Sequence, residues 1–303
     1  TTFTSIENLR GAADNEDSFI FSSTGSIQGT IEGGDAGFDS LVIADGAYET
    51  ITFEPLGPHS GFVLLDGNII AYTGLEPIDA SSNLVSATNI VIKGTSSDET
   101  VTLTPSGSQL LLSGPGIETH YFDIPSNSIS INMMGGDDSV TLGGTMNLGG
   151  ADLIINAESI TLGPTTDLTT TGDLTFTATS SKSINPSKSE LVAILGSLPN
   201  TNLDTLIASL FVRSAITEIA FNQATVSAAN ISLSASSTVT GTSTSLLPSD
   251  LGSLTLPGFA AAMANAESSA SVVIDGGSTT ATGNLSLSAT SDVDVTALAN
   301  SDA

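Results

Sequence analysis

The chain has 303 residues, of which 39% are hydrophobic, 5% aromatic and 12% charged, and 32 acidic residues against 5 basic ones give a formal net charge of −27. This charge excludes nucleic acid and anionic membrane surfaces as partners, because like charges repel. Cysteine is absent, which excludes a disulfide framework and a thiolate metal site.

Short apolar runs between Gly, Asp and Asn clusters predict β-strands from residue 1 to about residue 162. Asp66 and Gly67, which stand between the apolar runs 61–65 and 69–72, predict a β-hairpin. No run approaches the ~20 apolar residues that a membrane-spanning helix needs, so no membrane insertion is expected.

A seven-residue pattern occurs four times, at residues 151–157, 172–178, 229–235 and 283–289. Each copy reads small residue, Asp or Asn, Leu or Ile, any residue, apolar residue, polar residue, Ala. The first two copies are 21 residues apart, which suits one coil of a solenoid, whereas the later separations of 57 and 54 require insertions. The fold class predicted is therefore all-β, with a Gly/Asp-rich β region over residues 1–80 and a parallel β-solenoid over residues 81–303.

Two insertions carry helical patterns. The first, at about residues 182–223, has the capping-box residues Ser187 and Glu190 ahead of apolar residues at helical spacing, which predicts two short helices. The second, at about residues 246–267, contains the apolar run 259–264 and predicts one more. Polar and apolar residues still alternate over residues 292–299, so we expect the fold to continue in a longer protein.

Gly/Asp clusters beside strands are candidate calcium sites, at residues 33–41, 135–140 and 9–19. Calcium prefers ~6 to 8 oxygen ligands, and glycine-rich turns direct backbone carbonyls and Asp side chains toward one point. The candidate ligands are Asp35, Asp39, Asp137 and Asp138, followed by Asp14 and Asp17. The alternative is that these clusters are Asx turns, in which the Asp side chain bonds to nearby backbone.

The three clusters resemble degenerate copies of the calcium-binding nonapeptide G-G-x-G-x-D-x-U-x of RTX proteins. Together with the Ser/Thr-rich strands they resemble the repeat regions of large bacterial surface and secreted proteins, namely RTX-type adhesins and filamentous-haemagglutinin-like β-helical exoproteins. The resemblance implies export to the cell surface or the medium, folding supported by Ca²⁺, an adhesive or structural role with cell-surface glycans as ligands, and no catalytic residues.

The function expected is that of an extracellular adhesin or fibre-forming subunit that self-associates head to tail. One alternative is a passive spacer in a giant adhesin, whose contacts are the neighbouring repeats. The other is a β-helical enzyme that acts on polysaccharides. Such enzymes resemble this chain in fold, but their sites use Arg and Lys, and the 5 basic residues here are scattered. His59 and His120 are predicted to be loop residues without a metal or catalytic role.

Overall fold

The computed structural model describes residues 7–184, 212–244 and 265–298. All regular elements in these ranges are β-strands, which confirms the predicted all-β fold. In chain order they are β1 (Leu9–Arg10), β2 (Ser18–Phe21), β3 (Thr30–Glu32), β4 (Ser40–Ile43), β5 (Gly46–Gly57), β6 (Ser60–Leu65), β7 (Asn68–Thr73), β8 (Ile78–Ala80), β9 (Val85–Lys93), β10 (Thr100–Ser106), β11 (Gln109–Gly114), β12 (Ile117–Phe122), β13 (Ser128–Asn132), β14 (Ser139–Leu142), β15 (Thr145–Asn147), β16 (Asp152–Ala157), β17 (Ser159–Leu162), β18 (Asp167–Thr169), β19 (Leu174–Ile184), β20 (Val212–Asn222), β21 (Thr225–Ala228), β22 (Ile231–Thr244), β23 (Asn265–Asp275), β24 (Ser278–Ala281) and β25 (Leu285–Leu298).

The strands form three hydrogen-bonded sheets. Their orders are β1-β3-β7-β6-β5-β9-β13-β16-β19-β22-β25, β2-β4-β8-β12-β11-β10-β14-β17-β20-β23 and β15-β18-β21-β24. From β13 onward the chain visits the three sheets in a fixed rotation, so every third strand is a neighbour in the same sheet. Pairing is mostly parallel, and the exceptions among the described pairs are two antiparallel meanders, β5–β6–β7 and β10–β11–β12.

Parallel pairing places apolar side chains of neighbouring strands in columns. Ile51 pairs with Ile90, and Ile90 pairs with Ile129. The next member is Leu153, and each of the four is at most 1% exposed. Residues between the column positions face the other side of the sheet and are half-exposed, as the period of two in a strand requires. Repetition of this alternation in sequence therefore fixes the register, because a slip of one residue would expose the whole column.

The chain divides into two compact units. The first comprises Thr1–Ala178, Glu218–Ser234 and Val272–Ser288, and the second comprises Thr179–Thr217, Ala235–Ser271 and Ala289–Ala303. The first unit holds the large aromatic core residues, with Phe53 and Phe122 at a ring separation of 6.3 Å and Phe176 and Phe221 at 6.0 Å.

The second unit has a core of small side chains. Ala215 and Val239 are fully buried, and Ala266 packs against them. Ser237 is 1% exposed and donates to the carbonyl oxygen of Ala215 at 2.7 Å. A buried hydroxyl that donates its hydrogen bond to the neighbouring backbone allows strands to approach closely where no large side chain fills the space.

The bounds predicted for the two insertions are too wide. Residues 182–184, 212–222 and 265–267 are β-strand, and Gln223 follows β20 in a bend. The helical patterns themselves, at residues 187–210 and 259–264, lie outside the described residues. Ala215, Thr217 and Ile219 are buried while the residues between them are exposed, which is the period of a strand. The predicted hairpin is confirmed, since β6 and β7 pair antiparallel across Asp66 and Gly67.

Candidate functional site

The Gly/Asp clusters at residues 9–19 and 33–41 form stacked turns, and the paired residues Asp17 and Asp39 are 22 positions apart along the chain. Asn15 and Gly37 form a parallel bridge, and the N–H of Asp14 donates to the carbonyl oxygen of Asp35 at 3.0 Å. Glycine is required at position 37 because its φ is +106° and an added Cβ would lie 1.9 Å from the Asn15 carbonyl oxygen. Two of the three candidate calcium clusters, at residues 9–19 and 33–41, are thus neighbours in space.

The carboxylates in this stack accept hydrogen bonds from the protein. Asp39, which is 4% exposed, accepts the N–H of Asp17 at 2.7 Å, and Asp17 in turn accepts the N–H of Ala12 at 2.7 Å. Asp35 lies at the surface, where the guanidinium of Arg10 donates to it at 3.3 Å. These contacts close the turns and join one turn to the next.

Asp137 and Asp138 lie in a second stack, which contains acidic residues that the sequence analysis missed. The N–H of Glu99 donates to Asp138 Oδ1 at 2.8 Å, and the N–H of Asp138 donates to Glu158 Oε2 at 2.9 Å. Asp98 accepts the N–H of Asp137 at 2.9 Å. Glu99, Asp138 and Glu158 immediately precede β10, β14 and β17, which pair in parallel. We call these three residues the acidic stack.

Within the acidic stack, Asp138 has a raised pKa. Its side chain is 1% exposed, and Oδ2 has no hydrogen-bond partner among the described residues. Burial raises the pKa of Asp138 to about 6, and the neighbouring carboxylates of Glu158 and Glu99 raise it further against the hydrogen bond from the Glu99 backbone. Asp138 therefore titrates at about pH 6, where carboxylates with an ordinary pKa are ionised.

The predicted calcium ligands occupy two separate places. Four belong to the first stack and two to the second; in order, they are Asp14, Asp17, Asp35 and Asp39, then Asp137 and Asp138. Among the described residues, no group of three or more His, Cys, Asp or Glu side chains is placed to hold a metal ion. Of the carboxylate oxygens at these six positions, Asp138 Oδ2 is buried without a hydrogen-bond partner among the described residues.

A second group of buried polar side chains lies between the two meanders. Tyr72 on β7 is 3% exposed, and Glu118 and His120 on β12 are fully buried. No hydrogen bond of ordinary geometry among the described residues reaches the Tyr72 hydroxyl, either Glu118 oxygen or either His120 nitrogen. Weaker interactions with the Tyr72 hydroxyl and the Ser60 backbone lower the pKa of Glu118 against the larger effect of burial. His120 Nε2 lies 4.0 Å from Glu118 Oε2, too far for a hydrogen bond. The ring of Phe53 packs on His120 at 4.7 Å.

Burial holds this group in its uncharged form at neutral pH. It raises the pKa of Glu118 to about 8, with a smaller contribution from Glu76, and it lowers the pKa of His120 to about 3. The pKa of Tyr72 is also raised by burial and by Glu118. Glu118 and His120 have no exposed surface, so the group is part of the core.

The loop prediction for the histidines is half right. His59 lies in the turn between β5 and β6, as predicted. His120 lies within β12 and is fully buried, so a loop position is wrong for it. A register shift between β11 and β12 near Leu112 and Gly114 makes Ile117 and Glu118 both face inwards. Such a bulge interrupts the alternation from which burial is read.

The fourth copy of the seven-residue pattern is uncovered. Leu285 and Leu287 are 48% and 50% exposed, whereas the matching residues of the third copy, Ile231 and Leu233, are each 1% exposed. The fourth copy therefore presents, on the first unit, the same apolar positions that every earlier copy buries.

Comparison with protein-family models, with curated proteins and with solved structures finds no match for this chain. A search of the described residues for a long, apolar helix that could cross a membrane finds none.

Proposed function

We propose that the chain is an extracellular structural and adhesive protein of a bacterial surface, and that its first unit is a parallel β-solenoid. The observation that carries the proposal is the rotation of β13 to β25 through three sheets. Parallel register accompanies it wherever the register is described, from β13–β16 to β21–β24. A chain that returns to the same sheet with every third strand completes one solenoid coil in three strands.

The spacing of paired residues supports coils of similar length. Ile129 pairs with Leu153, Leu153 with Leu174, and Val140 with Ile160, so about one solenoid coil separates each pair. Pairs that span a meander are farther apart: Asn89 and Ser128 are 39 residues apart. In the proposed solenoid, each meander is a long coil whose extra two strands extend one sheet.

The outer surface of the coils suits binding better than catalysis. Thr102, Thr141 and Thr161 pair in sequence across three parallel strands and are half-exposed, so their hydroxyls form a column. Rows of hydroxyls at strand spacing match the hydroxyl groups of glycans, which makes cell-surface glycans the proposed ligand class. The buried Tyr72–Glu118–His120 group does not favour an enzyme, since solvent does not reach Glu118 or His120.

Calcium-supported folding is the second part of the proposal, and it is assigned to the acidic stack. Asp138 Oδ2 is buried and without a partner, and Glu99 and Glu158 lie beside it. A cation there would offset the burial that chiefly raises the pKa of Asp138 and the smaller contribution of the neighbouring carboxylates. In the first stack, Asp17 and Asp39 accept backbone N–H groups as Asp138 Oδ1 and Glu158 do. The difference lies in the second carboxylate oxygen of Asp138, which has no partner among the described residues.

Calcium is tested by thermal unfolding in calcium and in a chelator, since an ion that binds only the folded state raises its melting temperature. We expect a rise for the native chain and for Asp35→Asn, and none for Asp138→Asn. An equal rise in melting temperature in all three proteins would show that the ion binds away from Asp138. No rise for the native chain would contradict calcium-supported folding.

Adhesion is tested with beads that carry the purified chain on immobilised cell-surface polysaccharides. Replacing the column by Val at Thr102, Thr141 and Thr161 removes three hydroxyls at constant shape, and we expect bead retention to fall severalfold. The same positions replaced by Ser keep the hydroxyls and are expected to keep retention. Absence of retention for the native chain would favour the passive spacer, and antibody labelling of intact cells would still test surface location.

A further inference from the structure

A ladder of Asp and Asn side chains runs along one edge of the four-copy pattern. Asp152 accepts the N–H of Asp173 at 2.7 Å, and Asp173 accepts the N–H of Asn230 at 3.1 Å. Asn230 accepts the N–H of Asn284 at 2.9 Å. Each side chain therefore caps the backbone of the next coil, always in the same direction. Asn284 is the last member, and its side chain is exposed.

A similar single step occurs at the opposite edge of the largest sheet. Asn8 accepts the N–H of Thr30 at 2.9 Å, in the direction of the later steps, and Leu9 pairs in parallel with Ile31. The sequence Asn8–Leu9 thus has the position and the residue types of Asn284–Leu285. We call residues 8–11 the leading edge and residues 284–288 the terminal edge.

Both edges have incompletely covered apolar residues. Leu285 and Leu287 of the terminal edge are about half-exposed, at 48% and 50%. Leu9 of the leading edge is half-buried, and in the adjoining β2 Ile20 is 68% exposed. The strands of the two edges, β1 and β25, are the outermost strands of the largest sheet, so each has one side without a strand partner among the described residues. Such edges pair with other chains unless they are blocked.

We propose that the terminal edge of one molecule pairs in parallel with the leading edge of a second copy, which rests on the solenoid of the proposed function and makes the copies grow head to tail. Asn284 accepts the N–H of Asn8 of the second copy, and Leu285 packs against its Leu9. Leu287 then lies opposite Gly11. This register repeats the Asp173–Asn230 step between two molecules, and because it is heterologous it adds copies without closing.

Charge sets the conditions for this contact. Two chains of net charge −27 repel each other, and salt reduces that repulsion beyond about 8 Å at about 0.15 M and beyond about 30 Å at about 0.01 M. We expect light scattering to show concentration-dependent growth at the higher salt concentration and much less at the lower one.

The register is tested by cross-linking, because the chain contains no cysteine. If Leu9 lies opposite Leu285, Arg10 lies opposite Ser286, and both side chains are exposed. An equimolar mixture of Arg10→Cys and Ser286→Cys is expected to give oxidised dimers, since paired positions meet the distance that a disulfide requires. Each variant alone, and Arg10→Cys mixed with Ser288→Cys, is expected to give at least tenfold less. Dimers of Ser286→Cys alone would overturn the head-to-tail arrangement.

A second pair of variants distinguishes a specific contact at the terminal edge from non-specific hydrophobic association. Leu285→Lys places a charge in the contact and is expected to abolish growth, whereas Leu84→Lys, at another exposed apolar residue (72% exposed), is expected to leave it unchanged. A native chain that stays monomeric at high concentration and salt would overturn the second copy as occupant and leave a continuation of the chain in its place. Bead retention would be unaffected by that outcome, so the proposed function would stand.

Discussion

The carboxylate of Asp39 accepts a hydrogen bond from the backbone N–H of Asp17, 22 residues earlier in the chain, at 2.7 Å. Asp39 is 4% exposed, so water is a poor substitute for either partner. Asp39, which the glycine-rich motif predicts to be a calcium ligand, therefore joins two successive turns through this hydrogen bond.

Asp39→Ala is expected to lower the free energy of unfolding by about 1–3 kcal/mol, because the N–H of Asp17 loses its acceptor in a buried place. Urea unfolding followed by circular dichroism measures this change. Asp35→Ala is the control: the Asp35 side chain is 85% exposed and paired only with Arg10, so we expect a change within about 0.5 kcal/mol. Equal losses in the two variants would contradict the role given to Asp39.

Gly37→Ala is expected to destabilise the chain more than Gly67→Ala. Both glycines have positive φ, at +106° and +85°, so both substitutions strain the backbone by about 1–2 kcal/mol. Only at position 37 does the added Cβ meet the Asn15 carbonyl oxygen, whereas at position 67 nothing lies within 4 Å. Urea midpoints measure the difference, and a variant pair with the same midpoint would show that the two turns tolerate a side chain equally.

Asp138 is expected to make stability fall as pH rises. Its pKa is about 6 in the folded state against the usual 3.8, so the folded state holds the proton more tightly. The contribution is complete below about pH 4 and is lost as pH rises through 6, with a slope of at most about 1.4 kcal/mol per pH unit. Chemical unfolding in a chelator from pH 4 to pH 7 measures the slope, and Asp138→Asn should reduce it. An unchanged slope in that variant would contradict the assignment.

Glu118 is expected to act in the same direction at higher pH. Its pKa rises from the usual 4.5 to about 8, so stability that is present at pH 4 is lost as pH rises through 8. Glu118→Gln keeps the shape and should flatten this part of the stability profile. His120 acts in the opposite direction, because its pKa falls from 6.5 to about 3 and its contribution is lost as pH falls below 6.5.

His120→Phe provides the matched comparison, since an aromatic ring at this position retains the contact with Phe53. It should flatten the acid side of the profile and leave the alkaline side unchanged. The same unfolding series measures both variants. If Glu118→Gln altered the acid side instead, the two groups would titrate as one coupled pair.

The strands and their stacking could be predicted from sequence, because both depend on a period that the chain repeats. The seven-residue pattern places Leu153 opposite Leu174, and the structure pairs them in parallel. Its Asp or Asn position holds Asp152 and Asp173, which form the ladder described above.

The acidic stack also has a signal in the sequence that went unused. The strand sequences at residues 100–103, 139–142 and 159–162 read TVTL, SVTL and SITL, and an acidic residue precedes each. Aligning these segments places Glu99, Asp138 and Glu158 at one position. Such an alignment would have indicated which of the many carboxylates lie together.

The buried group of Tyr72, Glu118 and His120 could not be predicted in the same way. Glu118 and His120 face inwards in phase with the buried Phe122. Both are polar, however, and an alternating strand pattern assigns polar residues to the outer face. Likewise, Ala215 and Ile219 fit a helix as well as a strand by composition, and their burial in alternation depends on neighbours from other parts of the chain.

The step from Asp152 to Asp173 is one repeat of the seven-residue pattern. The two residues stand at the same place in consecutive copies, 21 residues apart, and each copy offers the next the same acceptor and the same apolar column. Excision or duplication of one such copy would therefore rejoin equivalent contacts on both sides. Recombination between two copies in the gene would then change the chain by whole copies, and the residues within each remaining copy would be unchanged.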